Sequence, residues 1–424
     1  MRQNAFAGIL CLLLIPPTTI GAAPEEEELK KITWSLNGEA RLRPEWRDDA
    51  DLDDRADDDL RQGFMRLRLG LSVQIRDTFR LYAQAQDSRI AGEETSTASN
   101  EKNLDLHQGY LEFQPVKGSR LTFTAGRQEL KYGDERMIGA FGWDNIGRSF
   151  DGLKARYARG KFFMDGLAAR VVSRNNGAST TGADLFGLYT QSAFRERSEY
   201  EAYLLAFADH AEAAGELGAP GETSIYALGG RAKDRFGFFD FNAEAVIQSG
   251  EFRGDDHSAW SAALQLGGNW GADWKVRPFA GYDFATGDDD PFDGDRQEFF
   301  NFFPTNHPHY GYADYEGWRN IRSPYAGVSL AHTRYVTQLK VHRFMLEEEA
   351  GAWKDAGGNV MGFDPTGESG VNVGREFDLT CRFAWQEKTS LEAGFARFEP
   401  GQFARRTRGE DPSHWAYLML TVGF

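Results

Sequence analysis

From Ile32 to Trp46 the chain keeps two chemical classes strictly apart. Ile32, Trp34, Leu36, Gly38, Ala40, Leu42, Pro44 and Trp46 occupy the even positions. Thr33, Ser35, Asn37, Glu39, Arg41, Arg43 and Glu45 occupy the odd ones. Side chains repeat on one face every second residue only in an extended strand. A strand in a soluble domain usually runs about five or six residues, so this one is unusually long. Its two faces must meet two different environments.

The same period recurs along the chain. Met65, Leu67, Leu69, Leu71 and Val73 oppose Arg66, Arg68 and Ser72, and Phe79, Leu81, Ala83 and Ala85 oppose Arg80, Tyr82 and Gln84. Phe241, Ala243, Ala245 and Ile247 oppose Asn242 and Glu244. Val276, Pro278, Ala280, Tyr282 and Phe284 oppose Lys275, Arg277 and Asp283. Phe377, Leu379, Cys381, Phe383 and Trp385 oppose Asp378, Thr380 and Arg382. Alternation alone fits a sandwich, with its apolar face in a core, as well as a membrane barrel, with its apolar face in lipid. Trp34, Trp46, Tyr282, Phe284 and Trp385 fall near strand ends on the apolar face, where a barrel carries its interfacial girdle.

The connections point the same way. Short ones are expected at Asp77-Thr78, Pro115–Ser119, Arg159–Lys161, Arg235-Phe236, Trp270–Asp273 and Thr333-Arg334. Long ones are expected at Arg47–Arg61, Arg89–Asn103, Lys131–Arg148, Arg174–Gly182, Asp209–Glu222, Gly250–Asp256, Gly287–Ile321, Glu347–Gly370 and Glu399–Pro412. Alternating short turns and long loops mark an outer-membrane barrel, here an all-β antiparallel transmembrane β-barrel of about 18 strands. Ala416, Leu418, Leu420, Val422 and Phe424 share one face of the closing strand, which ends on an aromatic residue as such barrels do. Residues 1–23 read as a secretory signal peptide, with Arg2, an apolar run and small residues before the cleavage point. Residues 24–424 read as a single barrel domain. After that cleavage only Cys381 remains, which excludes a disulfide framework. Net charge is −16, from 48 basic and 64 acidic residues, which argues against nucleic acid as a partner.

Gly126–Tyr157 reads GRQELKYGDERMIGAFGWDNIGRSFDGLKARY, the end of one strand, a structured loop and the start of the next. Its GRQEL, YGDER and GRSFDG segments resemble the fingerprint of the alginate export family of outer-membrane β-barrels. GYDFATGD at Gly281–Asp288, the run Phe302–Ile321 and FEPGQF at Phe398–Phe403 resemble that family too. The resemblance implies a monomeric barrel passing an acidic polysaccharide, alginate or a similar polyuronate, through an electropositive pore. A barrel has no energy source, so export would need periplasmic or inner-membrane machinery. Outer-membrane lipid and lipopolysaccharide are its expected surroundings. The alternative is a porin for uptake of small anionic or sugar-acid nutrients.

Pore-lining candidates are Arg41, Arg43, Arg66, Arg68, Arg80, Arg127, Arg148, Lys154, Arg156 and Arg277. Guanidinium forks match carboxylate geometry, and rings of them in a lumen select anions. The same residues could instead staple the wall through Glu39, Glu45, Glu112 and Glu244. Arg127 shares the parity of Leu121 and Phe123, so it reaches the lumen only past a bulge or above the lipid belt. Asp48–Asp59 and Asp288–Glu298 are acidic loops, with Asp288, Asp290, Asp293 and Asp295 as weak calcium candidates. The histidines are scattered outside any triad motif, so no enzyme and no cofactor are expected.

Overall fold

The computed structural model describes residues 32–53, 55, 58–91, 104–172 and 182–424. The signal-peptide reading lies outside the described residues, as does most of the connections at 89–103 and 174–182. The first strands are β1 (Ile32–Asp48), β2 (Leu60–Ile75), β3 (Phe79–Ala91), β4 (Leu104–Phe113), β5 (Leu121–Gln128), β6 (Phe150–Arg159) and β7 (Phe162–Val171). Then come β8 (Asp184–Ser192), β9 (Glu199–Ala214), β10 (Pro220–Phe236), β11 (Phe239–Phe252), β12 (Asp255–Gly268), β13 (Lys275–Ala285) and the two-residue β14 (Asp295–Arg296). The chain continues through β15 (Ile321–His332), β16 (Tyr335–Met345), short β17 (Trp353–Lys354) and β18 (Val360–Gly362), β19 (Asn372–Gln386) and β20 (Thr389–Pro400). Helix α1 (Gln402–Thr407) precedes β21 (Ser413–Gly423). Each long strand pairs antiparallel with its neighbours in sequence, and β1 pairs with β21. The sheet therefore closes as an 18-strand barrel. No helix among the described residues is long and apolar enough to cross a membrane.

The period of two sorts the wall as expected. Leu36, Leu42, Leu67, Leu69 and Leu71 point outward and are exposed, whereas Arg41, Arg43, Arg66 and Arg68 on the same strands point inward and are buried. Trp34, Trp46, Tyr282 and Trp385 stand exposed near strand ends, with Phe284 tilted against Trp260 at a centroid distance of 4.4 Å. Leu418, Leu420, Val422 and Phe424 face out on the closing strand, while Trp415 and Tyr417 turn in. Two expected connections are corrected. The turn expected at Arg235-Phe236 lies at Gly237-Phe238, where Gly237 takes φ 62°. The loop expected over Gly250–Asp256 is the tight turn Arg253-Gly254, because β11 and β12 stay in register up to Phe252 and Asp255. The β9–β10 ladder likewise climbs to Ala214 and Pro220.

Inside the wall, bulky rings lie across glycines. Tyr203 sits opposite Gly229, Tyr325 opposite Gly281 and Tyr417 opposite Gly394, each an in-register pair. A Cβ on any of these glycines would overlap the ring. The missing side chain lets an inward tyrosine lie flat and aim its hydroxyl along the wall. Tyr203 Oη donates to Glu244 at 2.7 Å and Tyr417 Oη to Glu392 at 2.6 Å. Gly281→Ala should therefore lower the unfolding free energy by about 1–3 kcal/mol, the usual cost of overpacking. Gly166→Ala, where nothing lies within 4 Å of the added carbon, should be near neutral. Urea unfolding in detergent followed by gel mobility distinguishes the two, and equal midpoints would refute the role given to the glycine.

Candidate functional site

Two long connections fold inward rather than outward. The 129–149 loop between β5 and β6 and the 286–320 loop between β13 and β15 meet inside the barrel. Gly139 N–H donates to the Phe303 carbonyl at 2.7 Å, Phe303 N–H to Met137 at 2.9 Å and Thr305 N–H to Glu135 at 2.8 Å. Glu135 Oε2 accepts from the Thr305 hydroxyl at 2.7 Å. Arg148 Nη1 donates to Gly139 at 3.1 Å and to Pro304 at 2.9 Å, joining one loop to the other. Phe150, Phe299, Phe303, Tyr310 and Trp318 are buried around this seam. Apolar rings in the middle of a polar lumen give the two loops a core of their own.

The arginines of β1 and β2 hold the first loop to the wall. Arg41 donates to the carbonyls of Gly142 at 2.9 Å and Asp144 at 2.8 Å. Arg66 reaches the same two carbonyls at 3.1 and 2.9 Å, and Glu39 at 2.7 Å. Arg43 donates to the Trp143 carbonyl, stacks over that indole at 4.0 Å and pairs with Glu45 at 2.5 Å. Arg68 bonds Ile146 at 3.1 Å, Gln86 at 2.6 Å and Glu129 at 3.2 Å. Four buried guanidinium groups thus meet three carboxylates, Glu39, Glu45 and Glu129, and direct other donors to main-chain oxygen of the loop and to Gln86. Arg41 Nε and Arg43 Nε are left without a hydrogen-bond partner among the described residues, the latter meeting Glu45 as an ion pair only. A carbonyl carries only a partial charge, so the cluster retains positive character although most of its donors are occupied.

The second loop docks on the opposite wall. Lys340 Nζ donates to the His309 carbonyl at 2.9 Å, and Ala313 N–H donates to Glu376 at 2.8 Å. Arg136 pairs with Asp283 at 3.3 Å and donates to Tyr310 Oη. Arg231 pairs with Glu201 at 3.1 Å and Asp134 at 3.2 Å. On the turn side of the loops lies a cavity of about 240 Å³ lined by Asp134, Arg136, Asn242, Glu244, His309 and Lys340. Both charge signs line it.

The remaining candidates disperse. Arg80 donates to Ser72 at 2.9 Å on the lower wall. Arg156 is clamped to Asp165 at 2.6 Å with half-buried Lys154 nearby on the same strand, and Arg277 pairs with Asp240 at 2.5 Å. Arg127 is a correction: no bulge interrupts β5, so it stays on the outward row and pairs with Asp151 at 2.8 Å. Arg136 and Arg231, central to the inner network, were not picked out as pore residues. Their parity opposite Tyr226, Leu228 and Ala232 could have found Arg231, whereas Arg136 lies in a loop where period two says nothing.

The calcium candidates do not converge. Asp290 accepts from Phe292 N–H at 3.2 Å and Asp293 from Asp295 N–H at 2.8 Å, closing local turns. Asp288 is buried elsewhere, beside Glu216, with Arg296 3.7 and 3.5 Å from the two carboxylates. Among the described residues the acidic side chains that do converge are Asp49, Asp51 and Asp58 of the first acidic loop.

Comparison with known proteins agrees with this architecture. A family model described as alginate export matches residues 33–416. No curated protein matches the chain in sequence. Among solved structures, the outer-membrane protein OprD of Pseudomonas aeruginosa is similar with TM-score 0.62 and 13% identity, over 92% of this chain and 93% of that one. Pseudomonas aeruginosa OccK11 (OpdR) is similar at 0.60 and 12%, over 92% and 96%, and OpdK, solved with vanillate, at 0.61 and 10%, over 92% and 98%. At such identities the likeness is one of fold.

Two predictions follow from the loop contacts. Arg148→Ala leaves buried carbonyls at Gly139 and Pro304 without their donor, worth about 1–3 kcal/mol each way of accounting for an orphaned group. Limited proteolysis of the 131–148 segment should then speed up severalfold while the barrel still inserts and shows heat-modifiable mobility. Unchanged cleavage would refute the bridging role. The second concerns the outer loops. Burial, then the hydrogen bond to Asp288, pushes the Glu216 carboxyl up from 4.5 to about 8. An acid raised in the folded state favours folding fully below its ordinary value and loses that contribution as pH climbs through the raised one. Protection factors at residues 215–219, taken relative to the intrinsic exchange rate at each pH, should therefore fall between about pH 5 and pH 9, and Glu216→Gln should flatten that fall.

Proposed function

The chain belongs to the alginate export family, and on that premise we propose that it conducts an anionic polysaccharide of the uronate type across the bacterial outer membrane. The observation that carries this reading is the Arg41–Arg43–Arg66–Arg68 cluster. Its guanidinium groups outnumber the carboxylates paired with them and spend their spare donors on the carbonyls of residues 142–146. Charge-assisted bonds to carboxylate are roughly twice as strong as bonds to a neutral acceptor. A polymer bearing one carboxylate per sugar competes for those donors wherever it reaches them. Each contact exchanges for another of the same kind, so binding does not arrest passage. Asp49, Asp51, Asp53, Asp58 and Asp59 of the first acidic loop and the acids of Asp288–Asp295 lie at the loop end, which separates their negative charge from the arginines. Pore walls of low dielectric strengthen the field of the cluster. The chain itself supplies no energy, so a periplasmic partner would deliver the polymer.

A second reading has its own support. The two inner loops fill the lumen, and the cavity left beside them, about 240 Å³, has room for a single sugar acid rather than a chain. An uptake porin for small anionic nutrients would work with the loops in place.

Planar-bilayer recording decides between them. The wild-type channel should prefer anions, and added polyuronate should block it in a length-dependent manner. Replacing Arg41, Arg43, Arg66 and Arg68 by Gln together should abolish the preference and weaken the block at least tenfold. A cation-selective wild type, or one indifferent to polyuronate, would refute the conduit. Saturable flux of monomeric uronate without polymer block would select the porin.

A further inference from the structure

On the outer wall near the loop end, two arginines face each other across adjacent strands. Arg343 of β16 and Arg375 of β19 are an in-register pair, both exposed and both on the outward row. Like charges directly opposite on adjacent strands repel, since their Cβ atoms lie only about 5 Å apart. At two other places where an outward arginine ends a strand on the loop side, the partner is an aspartate. Arg127 faces Asp151, bonded at 2.8 and 3.0 Å, and Arg170 faces Asp184, bonded at 2.6 and 2.7 Å. The side chain of neither Arg343 nor Arg375 makes a hydrogen bond or ion pair among the described residues.

The position of the pair defines what can neutralise it. One register step toward the turns, Val341 faces Phe377, and Leu379 faces Phe395 on the next strand, all exposed to the hydrocarbon. The arginines therefore stand where the apolar band ends on the loop side. On its other side Arg375 faces Glu399 of β20 in register, but that carboxylate is paired with Arg397, which lies alongside Phe377, at 3.3 Å. Above them, Arg375 and Arg405 line a recess of about 360 Å³ together with Glu399 and Glu410. Four arginines against two glutamates leave a positive surplus of two at this spot, on a protein whose overall charge is −16. Long arginine stems can lie along the apolar wall while their heads sit at headgroup level.

We propose that the outward face of β16, β19 and β20 at its loop end, centred on Arg343 and Arg375, is a docking surface for the phosphorylated glycolipid of the outer leaflet. A guanidinium fork takes two phosphate oxygens at once, and one phosphate between two opposed forks replaces their repulsion with paired bonds. Val341, Phe377, Leu379 and Phe395 supply the surface for the acyl chains directly beneath. The arginines of the lumen play no part in this, so the proposal is independent of the cargo.

The test uses the full barrel purified in detergent, depleted of bound lipid, and titrated with bis-phosphorylated lipid A or its dephosphorylated form. Native mass spectrometry reads the bound lipid, and unfolding midpoints read its effect. The wild type should bind the phosphorylated form at least tenfold more tightly, and Arg343→Ala/Arg375→Ala should lose that difference. Arg375→Glu places an acid opposite Arg343 and a second acid beside Glu399, so it should abolish lipid binding. Arg127→Ala should bind lipid as the wild type does, and channel conductance of the Arg343 and Arg375 variants should be unchanged. Equal binding of dephosphorylated lipid, wild-type binding by the variants, or full displacement by inorganic phosphate or polyuronate at lipid-like concentrations would overturn the proposal.

Discussion

A peptide group in hydrocarbon has no water to bond, so each backbone amide and carbonyl in the membrane must find a partner in the protein. Closure of β1 on β21 meets that demand without leaving a sheet edge. The other features of the wall follow from it. Once closed, the sheet has an outside that must be apolar and an inside that cannot be filled by its own short side chains at this strand number. The lumen has to be occupied by polar side chains, by water or by other parts of the chain. Here the 129–149 and 286–320 loops occupy it, and the inward arginines, glutamates and tyrosines become their docking surface.

This makes the arginines of β1 and β2 both structural and available. They are buried, which ordinarily demands a carboxylate for each cation. Only part of that demand is met by Glu39, Glu45 and Glu129, and the remainder falls on carbonyls of one loop. The loop is consequently held by bonds that an external carboxylate can replace in kind. At the facing wall the balance differs: Asp283, Glu376, Glu201, Lys340 and Arg231 of the strands meet Asp134 and Arg136 of the 129–149 loop, and the cavity between them is of mixed sign.

The strands, their faces and the closed architecture were legible because a period of two leaves a mark at every residue. Inward arginines could be named for the same reason. What held them could not, because Gly142 and Asp144 lie about a hundred residues from Arg41 and offer main-chain oxygen, which no side-chain pattern reveals. Arg127 shows the rule holding past the point where a functional motif invites an exception. The Gly250–Asp256 segment shows the opposite failure: glycine and charge suggested a loop, yet the ladder ran on through it because both strands still alternated. Asp288 was visible as an acid, but its neighbour Glu216 belongs to another loop, and loop-to-loop encounters have no period.

The hairpins of β9–β10 and β11–β12 rise as hydrogen-bonded ladders to their tips, and the tips are tied together. Glu216 N–H donates to Asp255 at 2.7 Å and Gly254 N–H to Glu222 at 3.0 Å. On a cell surface this makes them a preformed epitope. An antibody raised there would lose little entropy in ordering its target. It would also label the protein without reporting whether the inner loops are in or out. Such a reagent could count barrels on living cells while a second probe follows transport.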